Sequence, residues 1–282
     1  MVRQLGFHQM RGLVERLLVD THLWVASAAA GLVLFCSQAL GLPRMMEPVV
    51  MVGAATLLIY RFDGWVDADR PSMGTMPAVL AMALLVWSAR QAPAAVLWRV
   101  ALGAVPCLLY GVRWPGSIRR YRCLREVPVV KPLFVTSALM VAVFGVPLLW
   151  SVATTLVIPM TKIGALAGGL WVLLLCNVTL FDLRDRVADA RRGLLTLPVL
   201  FGNRQTRMGV MAACLALEIA LPWLASIGDL EPMVLLPLQL ATAATALCAI
   251  GLTPVSSRLR YAICVDGIPL LLGASVCWPP GS

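Results

Sequence analysis

Three aspartates stand together at the end of an apolar stretch near the middle of the sequence. Asp182, Asp185 and Asp189 occur in the segment FDLRDRVAD. On an α-helix this spacing places the three carboxylates within roughly 60° of one another, so they share one face. Like charges so arranged repel one another and destabilise a helix. The acidic row therefore indicates a function that requires the three carboxylates together. Hard oxygen ligands suit Mg²⁺ that completes its shell with a substrate's phosphates.

A second acidic group follows another apolar stretch, in the segment YRFDGWVDAD. Asp63 and Asp67 are four residues apart and would face together on a helix, whereas Asp69 points elsewhere if the helix continues. If both helix ends face one cavity, five carboxylates bind two or more Mg²⁺ ions and, through them, a diphosphate. The predicted metal ligands are therefore Asp63, Asp67, Asp182, Asp185 and Asp189.

The alternative interpretation of the second acidic row is structural. The neighbouring arginines are able to compensate the acids on a solvated helix end that binds no ligand; they are Arg184, Arg186, Arg191 and Arg192. A preference for positive charge at this boundary explains the arginines. It does not explain acids confined to one side of a helix.

Cationic residues are concentrated in the segment 113–132, RWPGSIRRYRCLREVPVVKP. Most of them are expected to contact anionic lipid headgroups. Arg125 and Lys131 lie nearest to the apolar stretch that follows, so we predict that these two contact diphosphate oxygens directly.

Apolar stretches must position these groups, because the 282 residues are 60% hydrophobic and only 13% charged. The mean hydropathy of +0.86 excludes a water-soluble fold, and backbone satisfaction in lipid favours helices. We predict an all-α polytopic membrane bundle that forms one domain over 1–282. The nine predicted spans are 22–41, 46–61, 75–89, 95–112, 133–150, 164–182, 206–225, 232–252 and 261–278.

The distribution of basic residues supports nine spans with a cytoplasmic N-terminus. With that orientation, 19 of the 23 lysines and arginines fall on the inner side or at its edge, as the positive-inside rule requires. Segment 1–21 is then a cytoplasmic amphipathic lead-in. The net charge of +9 is a topology signal on this interpretation, and nucleic acid is not an expected partner.

The motif around the second acidic row resembles the second aspartate-rich motif of the UbiA-type membrane prenyltransferases, in the style of the dihydroxynaphthoate and related quinone-pathway branches. The matching positions within 177–202 are Asp182, Arg184, Asp185, Asp189, Gly193, Thr196, Leu197, Pro198 and Gly202. The predicted helix count and termini agree with that superfamily. The first motif departs from the usual Asn-x-x-x-Asp-x-x-x-Asp, because Ile59 occupies the asparagine position before Asp63 and Asp67.

The resemblance implies Mg²⁺-dependent transfer of an isoprenyl group from a prenyl diphosphate to an aromatic or other lipophilic acceptor. It implies that the five aspartates named above are catalytic and hold the metal. The implied diphosphate-binding residues are Arg125, Lys131, Arg61 and Asn177. The implied setting is the inner membrane, with membrane lipids as neighbours and an active site that faces the cytoplasm.

Two other functions remain open from the sequence. A CDP-alcohol phosphotransferase also uses aspartates and Mg²⁺, but its motif needs glycine after the second acid, where this chain has Arg186. A non-enzymatic transporter or scaffold on the same fold is favoured by the missing asparagine. Transporters, however, commonly place charge near the midplane on broken helices.

Overall fold

A computed structural model of the chain describes residues 19, 21–66, 76–110, 112, 123–151 and 157–276, apart from the side chains of 63–66 and 108. Within that part the chain forms nine helices and no strand. They are α1 Leu23–Ala39, α2 Met46–Val66, α3 Met76–Gln91, α4 Ala94–Leu109, α5 Val130–Ser151, α6 Met160–Arg191, α7 Leu197–Gly228, α8 Pro232–Gly251 and α9, which comprises Arg258–Tyr261, Ala262–Asp266 and Gly267–Ser275. Each predicted span falls on one of these helices.

Four of these helices, α5 to α8, are long and apolar enough to cross a membrane. The apolar helices α1 and α3, and Ala94–Cys107 within α4, are shorter. A bundle of this length and composition buries its backbone polar groups in helical hydrogen bonds, as a hydrocarbon environment requires. The all-helical fold expected from the sequence is therefore confirmed for the described residues, and four of its helices have the length and composition of membrane spans.

Helix α6 lies at the centre of the bundle and positions the second acidic row. Its leucines at 166, 170, 173 and 174 are all at most 1% exposed, and they recur at the spacing of one helical face. The helix packs against α5, α7 and α8. Because its apolar half is enclosed, the end that carries the aspartates is held in a fixed position.

Helices α1 and α9 approach each other closely through glycine. A Cβ atom added to Gly273 would lie 2.5 Å from the Cα atom of Gly31, so Gly273 has no room for a side chain, whereas a Cβ atom added to Gly31 would meet nothing closer than 3.4 Å. Small residues allow this backbone approach between helices in lipid. Closer to the N-terminal ends of the same two helices, the indole nitrogen of Trp24 donates a hydrogen bond of 2.8 Å to the carbonyl of Ala262, the first residue of the π-helical turn in α9.

The turn after α6 explains the glycine of the motif. Gly193 has a φ of +75°, a left-handed conformation that favours glycine after a helix end. The amide of Leu194 donates to the carbonyl of Asp189 at 2.9 Å, and the amide of Val129 donates to the carbonyl of Leu195 at 3.2 Å. This second bond ties the turn to the segment that enters α5.

The next helix starts earlier than the predicted boundary at 206. Thr196 is the N-cap of α7 and Pro198 lies in its first turn, where a missing amide proton costs little. Gly202 has a φ of +84° and kinks the helix. Likewise, α6 continues to Arg191 rather than ending at 182, so the whole acidic row lies on one helix.

Candidate functional site

Two of the predicted acids converge on one lysine. The ammonium nitrogen of Lys131, at the start of α5, lies 2.8 Å from Oδ1 of Asp182 and 2.8 Å from Oδ2 of Asp189, both on α6. The two aspartates are 2% and 3% exposed. A shared cation offsets the repulsion between two buried carboxylates. The structure thus brings together three of the residues singled out in the sequence.

The third acid of the row has a different partner. Both carboxylate oxygens of Asp185 accept hydrogen bonds of 2.8 Å from the guanidinium group of Arg184. That group also lies 5.2 Å from the ring centre of Phe181 and 5.8 Å from that of Tyr261 on α9, distances typical of cation–π contacts. Asp266, also on α9, interacts electrostatically with the same guanidinium group.

Helical geometry explains why the row divides. Residues seven apart differ by about 20° around an α-helix, whereas residues three apart differ by about 60°. Asp182 and Asp189 therefore face α5 together, and Asp185 is rotated away from them. Among the residues that the structure describes, no group of three or more acidic, histidine or cysteine side chains is arranged to hold a metal ion.

The segment before α5 carries the second predicted cation. Arg125 lies in the 3₁₀ turn Leu124–Glu126 and is half-buried. Its backbone amide donates to the carbonyl of Tyr110 at 3.4 Å. The ring of Tyr110 in turn stacks on Phe134 of α5, with 4.6 Å between the ring centres. These contacts fix the backbone of this turn beside the start of the helix that carries Lys131.

Of the remaining predicted residues, the structure describes Asn177 and Arg61 fully, but not the acids of the first motif. Asn177 is 5% exposed on α6, and its Oδ1 atom accepts a hydrogen bond of 3.1 Å from Thr245 of α8. It precedes Asp182 by five residues, or about 7.5 Å along the helix axis. Arg61 is half-buried near the end of α2. The side chain of Asp63 and the whole of Asp67 lie outside the described residues.

Sequence reasoning treated Arg184 only as a compensating charge and did not single out Tyr261. The adjacent Arg184–Asp185 pair signals an ion pair, but its enclosure by aromatic rings depends on α9, which is far away in the sequence.

Comparison with known proteins concerns the fold that carries this site. No protein-family model matches the sequence, and no curated protein matches it. Two solved structures are similar. A UbiA homologue from Aeropyrum pernix K1 in its apo form has a TM-score of 0.63 and 15% identity, over 91% of this chain and 97% of that one.

The second structure is a UbiA homologue from Archaeoglobus fulgidus bound to DMAPP and Mg²⁺. Its TM-score is 0.61 at 14% identity, over 90% of this chain and 94% of that one. Both alignments cover nearly the full length of each chain. At such low identity the similarity concerns the fold, and it agrees with the motif resemblance found in the sequence. This chain therefore has the UbiA-type fold.

Proposed function

We propose that this chain is a membrane prenyltransferase that moves an isoprenyl group from a prenyl diphosphate to an aromatic or other lipophilic acceptor. The observation that carries the proposal is the convergence of Asp182 and Asp189 on one cation at the end of the central helix of a UbiA-type fold. The bound DMAPP and Mg²⁺ of the Archaeoglobus fulgidus homologue motivate the choice of substrate and metal.

Carboxylate oxygens are the donor atoms that Mg²⁺ prefers in proteins. Oδ2 of Asp182 is buried and has no hydrogen-bond partner within the described part of the chain, so one carboxylate oxygen is available for a further ligand. The ammonium group of Lys131 lies between Asp182 and Asp189, so a positive charge at this position is stabilised by both acids. We propose that Asp182, Asp185 and Asp189 hold Mg²⁺ together with Asp63 and Asp67. When bound, the metal would neutralise charge on the diphosphate.

The cationic side chains have a complementary role in this proposal. Lys131, Arg125 and Arg61 would donate hydrogen bonds to diphosphate oxygens, with Asn177 as a neutral donor deeper in the bundle. Lys131 pairs with Asp182 and Asp189 in the structure. A diphosphate would therefore exchange one anionic partner of Lys131 for another, without leaving a buried charge unpaired.

The chemistry follows from this arrangement of charge. The bond between the allylic carbon and the diphosphate oxygen breaks, and its electron pair leaves with the diphosphate. Positive groups placed in advance stabilise that developing charge. The allylic cation that remains needs dry, apolar surroundings, which the leucine-rich face of α6 supplies. The acceptor then attacks the cation and loses a proton.

The proposal includes a membrane topology. All nine helices would cross the inner membrane, with the N-terminus and the acidic site on the cytoplasmic side. The support is the concentration of basic residues in alternate loops. Lys131 and the acids of α6 would then lie at the boundary between hydrocarbon and cytoplasm, where a charged diphosphate is able to enter from water.

A diphosphate-release assay tests the proposed function. Purified protein in detergent is given Mg²⁺, a panel of radiolabelled prenyl diphosphates and a membrane extract that supplies acceptors. The wild-type protein is expected to release diphosphate in a Mg²⁺-dependent manner and to label a lipid-soluble product. Asp182→Asn and Asp185→Asn should each lower the rate at least a hundredfold, because loss of one transition-state charge contact costs about 3 kcal/mol.

The matched control is Asp229→Asn. Asp229 is exposed and has a φ of +49°, a conformation that asparagine tolerates, so this variant should keep full activity. Full activity in Asp182→Asn would remove the proposed site. Absence of diphosphate release from every donor would favour a non-enzymatic scaffold or transporter, and transfer from a CDP-alcohol would favour the phosphotransferase alternative.

A further inference from the structure

A groove runs along the outer face of the bundle where α7 meets α8. Its upper part has a volume of about 560 Å³ and is lined by Asn203, Arg204, Arg207, Met208 and Met211 of α7, with Ala249 and Ile250 of α8. None of these residues was assigned to the proposed chemistry. The groove adjoins the acidic end of α6, because Oδ1 of Asn203 accepts a hydrogen bond of 3.2 Å from Arg186.

The groove continues down α7 past Met211. The lower part, of about 340 Å³, is lined by Met211, Leu215, Glu218 and Ala246, among others. Eleven residues separate Arg207 from Glu218, which corresponds to roughly 16 Å along a helix. The small side chains of Ala246 and Ala249 on α8 leave this space open. The groove is thus long and mainly apolar, with Arg204 and Arg207 at one end and Glu218 at the other.

The upper end has unsatisfied cationic donors. Nε and Nη2 of Arg207 are buried and have no hydrogen-bond partner among the described residues, and a buried donor without an acceptor is costly. Arg204 lies one turn away and also lines the groove. A guanidinium group presents its donors in a fork that matches phosphate oxygens. An anion with several oxygens is therefore a suitable partner for these donors.

Lipid is the medium that surrounds this face. Met208, Leu215 and Ile250 are between 58% and 63% exposed, as expected for a surface in contact with hydrocarbon. Arg207 lies near the start of α7, at the same end of the bundle as the acids of α6 because a short turn joins the two helices. Basic pockets between membrane helices at this depth bind lipid headgroups.

We infer that the α7–α8 groove binds one anionic phospholipid, with its phosphate on Arg204 and Arg207 and an acyl chain along Met211 towards Glu218. The phosphate supplies the acceptors that Arg207 lacks. The acyl chain fills the space above Ala246. A prenyl diphosphate has similar chemistry, but a resident membrane lipid accounts for a groove that opens on the lipid-facing surface and includes none of the proposed catalytic residues.

Native mass spectrometry of the purified full-length protein tests this inference. The protein is stripped of lipid with detergent, incubated with vesicles of phosphatidylglycerol or phosphatidylcholine with identical acyl chains, re-extracted and washed. The wild-type protein should retain one phosphatidylglycerol and no phosphatidylcholine. Arg207→Gln should weaken retention about tenfold, the effect of losing one charge-assisted hydrogen bond. If Arg207→Gln does not fold, the exposed Arg204→Gln tests the same site.

Matched variants separate this site from general surface effects. Arg260→Gln removes an exposed arginine at the same end of the bundle and should not change retention. Ala246→Phe should block the acyl chain, whereas Ala216→Phe, on an exposed part of α7, should not. Equal retention by Arg207→Gln and Arg260→Gln, or by Ala246→Phe and Ala216→Phe, would overturn the inference. Displacement of the lipid by inorganic phosphate or by a prenyl diphosphate would also overturn it.

Discussion

The ammonium nitrogen of Lys131 on α5 lies 2.8 Å from a carboxylate oxygen of Asp182 on α6. The two residues are 51 positions apart in the sequence, so the contact depends on how the two helices pack. It joins a helix from the basic segment to the acidic row of the central helix. One cation therefore partly neutralises Asp182 and Asp189, which explains how two buried carboxylates coexist.

Removal of this lysine is expected to destabilise the protein. In Lys131→Met, Asp182 and Asp189 lose their common cation, and breaking a buried pair costs about 3 kcal/mol. The apparent melting temperature in detergent should fall, and millimolar Mg²⁺ without diphosphate should raise it in the variant, whose two acids lack a cation, but not in the wild type. The control is Lys162→Met, which removes the only other lysine. Equal melting temperatures of Lys131→Met and Lys162→Met would contradict a structural role for Lys131.

Arg184 is expected to be sensitive even to a conservative change. Lysine keeps the charge but loses the bidentate hydrogen bond with Asp185 and the cation–π contacts of the planar guanidinium group with Phe181 and Tyr261. Arg184→Lys should lower the free energy of unfolding by about 1–2 kcal/mol, measured by thermal denaturation. Arg191→Lys, at an exposed position on the same helix, should have no effect. A stable Arg184→Lys protein would show that the aromatic enclosure contributes nothing.

The contact between α1 and α9 provides a test of the bundle itself. Gly273→Ala introduces a methyl group 2.5 Å from the Cα atom of Gly31, and overpacking of this kind costs about 1–3 kcal/mol. Gly267→Ala, on the same helix, meets no atom within 4 Å and should be neutral or slightly stabilising. The comparison uses thermal unfolding in detergent. Equal melting temperatures of Gly273→Ala and Gly267→Ala would contradict close packing of α1 against α9 at Gly273.

Much of the fold could be predicted from the sequence because apolar stretches and helices coincide in a membrane. Each predicted span lies on one helix, and the motif that resembles the UbiA-type enzymes lies in a chain with that fold. The helix ends were less accurate. Apolar patterning marks where hydrocarbon ends, whereas α6 continues beyond that point to Arg191.

The site was predictable in its residue types but not in its pairings. Helical spacing groups Asp182, Asp185 and Asp189 on one side, but it does not say which neighbouring helix each acid faces. Lys131 and Tyr261 belong to helices far away in the sequence, and only the packing of α5 and α9 against α6 places Lys131 beside Asp182 and Tyr261 beside Arg184. The contribution of Asp63 and Asp67 stays a prediction.

Retention of a divalent ion by the two acidic helix ends tests the central claim most directly. Mn²⁺ replaces Mg²⁺ and is counted by electron paramagnetic resonance, with a prenyl diphosphate analogue that cannot ionise. We expect wild-type protein to retain Mn²⁺ only with the analogue, and we expect Asp63→Asn and Asp182→Asn each to lose most of it while Asp229→Asn retains it. Retention by Asp63→Asn or Asp182→Asn at the wild-type level would contradict a site built from both helix ends.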